Sequence, residues 1–281
     1  MVPITTADVD DVASFLHNEL NGRLTAGVWA EAIRPTWPSA SPNHGFMLVR
    51  GQSIVGAYVA FYSQRSVAGQ SENFCNLAAW CVQDAYRSHG LRLLKALLDQ
   101  PGYTFTDLSP SGNVVPLNRR LKFQQLDTTA TLAANLPWPR WGSGVRIIDH
   151  HASIETYLDV RDLQIYRDHK RAPAAHHLAV IKGDRCCYVM FRKDTRKGLR
   201  LFASILHVGD VKLFSEVAWH VRSYLLTRFG LAVTIVENRF VSAPPMLSVP
   251  LKSPRPKMIL SSRVSPSEVD YLYSELTCVP W

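Results

Sequence analysis

The sequence predicts an α/β protein built from two mixed-sheet lobes in tandem, and three observations carry that prediction. At 281 residues the chain exceeds the usual size of a single domain. Apolar strand-like runs are interleaved with segments of helical period. A pattern from the first half also returns in the second: Phe46-Met47-Leu48-Val49-Arg50-Gly51-Gln52 has its counterpart in Leu178-Ala179-Val180-Ile181-Lys182-Gly183-Asp184, each followed by an apolar strand. The first lobe is assigned to residues 1–136 and the second to 146–281. The join at 137–145 holds Pro137, Trp138, Pro139, Trp141, Gly142 and Gly144, a linker stiff at one end and supple at the other.

Taken in order, Val2 to Thr5 reads as a short first strand. Thr6 or Asp8 can cap the helix over Ala7 to Leu20, whose inward face uses Val9, Val12, Phe15 and Leu16. Thr25 to Ile33 reads as a second helix, after which Pro35, Pro38 and Pro42 break the chain into a loop holding Trp37 and His44. Phe46 to Phe61 is a hairpin with its turn at Arg50 to Ser53, and Val67 to Glu72 is a polar excursion. From Phe74 an apolar strand runs to a polar turn, Arg87-Ser88-His89-Gly90, and then Leu91, Leu94, Leu97 and Leu98 mark one face of a helix. Such a turn presents unpaired N–H groups at the positive end of the helix dipole, a place that binds phosphate. A strand at Tyr103 to Leu108, a helix at Val114 to Leu121 and a further strand after Lys122-Phe123 complete the lobe.

The turn resembles the acyl-coenzyme A site of the GNAT superfamily of N-acyltransferases, whose signature after the fourth strand is Gln/Arg-x-x-Gly-x-Gly/Ala. Arg87-x-x-Gly90-x-Arg92 keeps the first two fixed positions and departs at the third. The order of elements over residues 1–136 agrees with that fold; the rival for a strand-turn-helix of this kind is a doubly wound nucleotide-binding fold. The resemblance implies acetyl-coenzyme A or another acyl-coenzyme A as co-substrate and a small-molecule amine as acceptor. It places the pantetheine arm at a strand bulge around Ala79, Trp80, Cys81 and Val82. The pyrophosphate falls at Arg87, Ser88, His89, Gly90, Leu91 and Arg92, with Gly90 leaving room for its approach. Asn113 either bonds the pantetheine arm or simply caps a helix. Glu72 and Asp84 are the carboxylates near this strand and so the candidate bases. The family's tyrosine acid, counted back from Phe123, is replaced by Asn118.

Past the linker, Leu201 to Val208 leads through Gly209-Asp210 to a helix bearing Leu213, Val217, Val221, Tyr224 and Leu225, then to a strand at Leu231 to Glu237. This copy reads as degenerate: it lacks Arg-x-x-Gly and sets Asp210 where phosphate would sit. It is expected to bind no coenzyme A and to complete the acceptor side. Residues 242–256 form a proline-rich loop, Lys257 to Val264 a strand, and Ser265-Pro266-Ser267-Glu268 opens a final helix with Val269, Leu272, Tyr273 and Leu276 on one face.

The net charge of +8 divides as 11 basic and 10 acidic residues through Trp141 and 20 and 13 thereafter. Arg192, Lys193, Arg196, Lys197 and Arg200 gather at a hairpin tip, either as a solvated loop or as a surface for an acidic acceptor, a carrier protein or nucleic acid. Regularly interleaved aromatics and a nucleic-acid-binding motif are absent, which argues against a nucleic-acid partner. No apolar run approaches a membrane span, and the acidic first 20 residues point to the cytoplasm. Cys75, Cys81, Cys186, Cys187 and Cys278 are odd in number and lie mostly in apolar runs, as reduced thiols do. The pairs His150-His151 and His176-His177 lack metal-ligand spacing, so no metal is expected. A non-catalytic acyl-coenzyme A-binding or scaffold protein is the alternative to an active transferase. The acceptor stays open among sugar nucleotide, amino acid, aminoglycoside, polyamine and protein amine.

Overall fold

The computed structural model describes residues 1–138 and 144–281. In chain order its strands are β1 (Val2–Pro3), β2 (Gly45–Arg50), β3 (Ser53–Val67), β4 (Gln70–Val82), β5 (Thr104–Asp107), β6 (Gln124–Gln125) and β7 (Ala130–Ala134). They continue as β8 (Val145–Ile148), β9 (His176–Lys182), β10 (Arg185–Arg196), β11 (Leu199–Val208), β12 (Val233–Glu237), β13 (Ser248–Pro250) and β14 (Met258–Leu260). The helices are α1 (Val9–Glu19), α2 (Ala26–Ile33), α3 (Gly90–Leu98), α4 (Val114–Arg120), α5 (His151–Ile154), α6 (Val160–His169), α7 (Val211–Phe229) and α8 (Glu275–Cys278).

Two mixed seven-stranded sheets result, one ordered β1-β2-β3-β4-β5-β14-β6 and the other β8-β9-β10-β11-β12-β7-β13. Position by position these are the same sheet. The strand that follows β6 along the chain, β7, pairs antiparallel with β12 and β13 of the second sheet. The strand that follows β13, β14, pairs antiparallel with β5 and β6 of the first. Each sheet therefore takes its sixth strand from the other half of the sequence.

This exchange moves the division of the chain. One compact unit comprises Met1–Asp127 with Pro256–Pro280, and the other Thr128–Arg255 with Trp281. The boundary expected at 137–145 is displaced, and residues 139–143 of that linker lie outside the described residues. A strand at the end of each repeat satisfies its backbone N–H and C=O groups in whichever sheet offers an edge, and local composition does not reveal which.

The repeat seen in sequence corresponds to the β2–β3 and β9–β10 hairpins, whose Gly51 and Gly183 take φ of 61° and 65°. Glycine is the residue that meets such a turn without a Cβ clash. In the first unit α1 buries Val9, Val12, Phe15 and Leu16 as its spacing predicts. Thr25 caps α2 by accepting from the Val28 N–H. α3 buries Leu93, Leu94 and Leu97 in a cluster with Leu48, Tyr58, Tyr62, Cys75, Leu77 and Phe105. Full burial of each leucine contributes about 1.5–3 kcal/mol.

The carboxyl-terminal stretch departs from expectation. β14 ends at Leu260 because Ser261 Oγ accepts the N–H groups of Arg263 and Val264, turning the chain. In place of a long final helix there is a 3-10 turn at Pro266–Glu268 and the four-residue α8. The break is at Tyr273, whose φ of 56° is incompatible with a right-handed helix. The apolar residues still fulfil their role, since Val269, Leu272 and Leu276 are all buried.

Candidate functional site

β4 pairs with β3 along its length but with β5 at only three positions, Phe74↔Thr104, Cys75↔Phe105 and Asn76↔Thr106. Beyond Asn76 the two parallel strands part, and among the described residues the second edge of β4 has no strand partner from Leu77 to Val82. Within this open edge lies a bulge. Tyr58 opposes Trp80 and Val59 opposes Ala78, leaving Ala79 as the extra residue with φ of 51°. An alanine held left-handed is strained by about 1–2 kcal/mol, and such a bulge re-aims its backbone groups out of the ladder. Ala79, Trp80 and Val82 are half-buried and Cys81 is buried, so the fork opens toward solvent beside a packed floor. Trp80 stacks on Tyr58 with ring centroids 4.7 Å apart.

At the fork's closed end a polar network joins three segments. Asn76 Nδ2 donates to the Thr106 hydroxyl at 3.1 Å, while its Oδ1 accepts the Glu275 N–H at 3.1 Å. Ser109 Oγ donates to Glu275 Oε1 at 2.6 Å, and Asn118 Nδ2 to Asp107 Oδ2 at 2.8 Å. Asp107 and Glu275 are both buried. Burial, reinforced by the charge of Glu275, raises the Asp107 carboxyl to about 7 against the opposing hydrogen bonds from Asn118 and the Ser109 backbone. A carboxyl so placed carries its proton for a sizeable fraction of the time at neutral pH and can give or take one.

No family model matches the sequence, and no curated protein does. Solved structures do match. A GCN5-related N-acetyltransferase from Anabaena variabilis is 9% identical with a TM-score of 0.59, covering 92% of this chain and 71% of its own. One from Kribbella flavida is 15% identical with a TM-score of 0.59, covering 92% and 69%. The Saccharomyces cerevisiae N-myristoyltransferase with bound myristoyl-CoA is 11% identical with a TM-score of 0.50, covering 83% and 71%. The chain has the GCN5-related N-acetyltransferase fold. At these identities the likeness is one of fold, and the site rests on its own geometry.

Within this GCN5-related fold the bulge falls at the first residue of the stretch expected to hold it, Ala79 to Val82. The turn that follows differs from expectation. Asp84–His89 is a 3-10 helix running straight into α3, and the N–H groups of Tyr86 and Gly90 already bond the carbonyls of Gln83 and Arg87. The open amides anticipated there are thus partly consumed. Arg87 forms an exposed pair with Asp84 at 2.7 Å, and Ser88, His89, Leu91 and Arg92 are exposed. Gly90 is buried in ordinary helical conformation. A Cβ there would meet Trp80 Cζ2 and Val82 Cγ2 at 3.5 Å, ordinary contact distance, on the side where α3 sits against β4.

The strand carries Glu72 away from the bulge. Glu72 lies seven residues before Ala79 on the same strand, roughly 23 Å at about 3.3 Å per residue. It is buried and held by Arg263, Nη2 to Oε2 at 2.9 Å. Asp84 is a solvent-exposed partner of Arg87. Asn113 is exposed and makes no side-chain cap to α4. Burial pushes the Cys81 thiol up to about 11 and Cys75 higher still, which removes both as nucleophiles near neutrality. Trp37 is buried, its Nε1 donating to the Tyr62 carbonyl at 2.9 Å, and His44 lies within 3.3 Å of the Thr6 hydroxyl; both belong to the framework.

The second unit repeats the backbone of the fork. β11 and β12 pair in parallel at Phe202, Ala203 and Ser204, and Leu206 is the extra residue between Met190↔His207 and Phe191↔Ile205. Its turn is acidic. Asp210 Oδ1 accepts the Leu213 N–H at 2.9 Å, capping α7, and the Asp162 carboxylate lies so close to Gly209 that a Cβ there would overlap it. The basic hairpin also differs from its reading as a solvated tip: Arg192 is buried, and Arg196 lies 3.5 Å from buried Asp194. Lys193, Lys197 and Arg200 remain exposed. Among the described residues no helix is long and apolar enough to cross a membrane, and no cluster of His, Cys, Asp or Glu is arranged to hold a metal.

Proposed function

We propose that the chain is an acyl-coenzyme A-dependent N-acyltransferase whose reaction takes place at the fork between β4 and β5. The observation that carries this reading is the bulge at Ala79 on an unpaired strand edge. An extended arm with amide groups, as in pantetheine, can pair with that edge as a strand would, and an N–H turned out by the bulge can polarise a thioester carbonyl. The acyl group is acetyl or longer, and the acceptor is an amine.

Asp107 is the group we assign to proton transfer. It stands at the end of β5 and is bonded by Asn118, the position at which the resembled family carries its tyrosine acid. The carboxyl replaces the phenol, and Asn118 orients it. Burial, and after it the charge of Glu275 arriving from the carboxyl-terminal segment, keeps Asp107 from ionising fully. The second unit, with Asp162 and Asp210 at its turn, holds no cofactor.

The test is thiol release by the purified chain from acetyl-coenzyme A with a panel of sugar, amino-acid and polyamine acceptors. Release should depend on an amine. Ala79→Gly should retain it, because glycine accepts φ of 51° freely, whereas Ala79→Pro fixes φ near −65°, removes the N–H and should abolish it. Absence of coenzyme A binding, or full activity in Ala79→Pro, would overturn the assignment.

A further inference from the structure

A second cavity in the first unit lies on the other side of β4 from the fork. The β2–β3 hairpin, the 3-10 turn Asp84–His89 and the start of α3 border an open pocket of 340 Å³. Its polar lining is Arg50, Tyr86, His89 and Arg92, and its apolar lining includes Leu48 and Val55. Among the described residues no carboxylate lines it. Arg50 Nη1 donates to the Tyr86 hydroxyl at 2.6 Å, with the guanidinium 5.6 Å from the ring centroid, so this cation is held in place. Tyr86 accepts that bond and keeps its own O–H to donate. Arg50, His89 and Arg92 make no ion pair among the described residues, and Asp84, the acid at the start of the same turn, is engaged by Arg87 at 2.7 Å.

Two guanidinium groups around one cavity repel one another unless an anion lies between them. Planar guanidinium groups match phosphate by paired hydrogen bonds, and one of these is already positioned. The volume is at the small end of organic-ligand pockets, enough for a phosphate with a sugar-sized body against the apolar wall. We infer that this pocket binds a phosphate monoester, with Arg50 as its fixed anchor. Two sources supply that chemistry: the 3′-phosphate end of coenzyme A, in which case the inference rests on the acyltransferase reading, or a separate phosphorylated small molecule, in which case it stands alone.

Calorimetric titration of the full chain with coenzyme A, dephospho-coenzyme A and ribose 5-phosphate decides between them, using wild type and Arg50→Glu, with Arg50→Gln as the substitute should the charge reversal lower the melting temperature. If the pocket takes the cofactor's own phosphate, coenzyme A binds at least tenfold tighter than dephospho-coenzyme A in wild type and equally in the variant. If it takes a separate ligand, the two cofactors bind alike, while ribose 5-phosphate binds wild type with coenzyme A present and the variant at least tenfold more weakly. The inference is overturned if wild type neither discriminates the two cofactors nor binds ribose 5-phosphate, or if either behaviour survives loss of Arg50. Failure to bind either cofactor sinks the acyltransferase reading alone, since the ribose 5-phosphate titration still decides the pocket.

Discussion

Replacing Asp107 with asparagine should flatten part of the dependence of stability on pH, and the size of the effect follows from its surroundings. The carboxyl is buried beside Glu275, and its pKa is raised from the ordinary 3.8 to about 7. The folded chain therefore keeps a proton that the unfolded chain releases at pH 4 and above. Stability from this group is complete below pH 3.8, declines as pH rises and levels off above pH 7. Each pH unit of that separation is worth about 1.4 kcal/mol, so the total is roughly 4 kcal/mol. The amide introduced by D107N would still accept from Asn118 through its oxygen but would not ionise. Urea denaturation followed by tryptophan fluorescence at pH 4 to 8 should show wild type losing about 4 kcal/mol more than D107N across that range. Parallel curves for the two proteins would refute the account of the buried pair. Glu275→Gln should lower the upper end of the transition, because it removes the neighbouring charge while keeping the acceptor for Ser109. Under the proposed reaction the acylation rate of wild type also falls as pH rises past 7, and D107N loses that limb.

Two further substitutions separate structure from catalysis. Gly90→Ala should fold normally, since its Cβ meets Trp80 and Val82 at ordinary contact distance, whereas Gly90→Val drives branched methyls into them and should cost about 1–3 kcal/mol by thermal or urea melting. Glu72→Gln should destabilise by about 1–3 kcal/mol through the buried end of its pair with Arg263, yet leave kcat unchanged; a large fall in kcat with intact stability would restore Glu72 as a base.

The sequence made the first lobe's strand, turn and helix legible because their signals are local. A long apolar run, a polar turn and a leucine face lie within Phe74 to Leu98, and the bulge at Ala79 falls within the stretch Ala79 to Val82 that the family resemblance implies. The polar network around Asp107 was not legible in the same way. Asp107 lies 11 residues before Asn118 and reads only as the end of a strand; Asn118 stands out only through the family resemblance, as the residue in place of a tyrosine, and Glu275 meets Asn76 across 199 residues. Proximity of that kind is created by topology, here by the return of the carboxyl-terminal segment through β14. The same crossing misled the boundary. β7 and β14 are short edge-seeking strands whose composition fits either sheet, so proline and glycine content drew the line at 137–145 instead of near 127 and 255. Glu72 and Asp84 were singled out for being carboxylates near the strand, and burial beside Arg263 and exposure beside Arg87 give them other work.

Both units carry a bulged strand that parts from a parallel neighbour, so the backbone alone would allow two cofactors per chain. Charge at the turn is what distinguishes them. In the first unit the turn's acid, Asp84, faces solvent and is neutralised by Arg87, while His89 and Arg92 stand nearby. In the second, Asp162 is buried against Gly209 and bonded by His207 Nε2 at 3.1 Å, and Asp210 already occupies the helix cap. A phosphate oxygen about 4 Å from a carboxylate would be opposed by about 4 kcal/mol per unit charge pair at an effective dielectric constant near 20. That is nearly a thousandfold in affinity from one contact. Calorimetry should therefore give one coenzyme A per chain, and Ala79→Pro, which touches only the first fork, should abolish binding entirely. A stoichiometry of two, or one site remaining in Ala79→Pro, would show that the acidic turn does not exclude the cofactor.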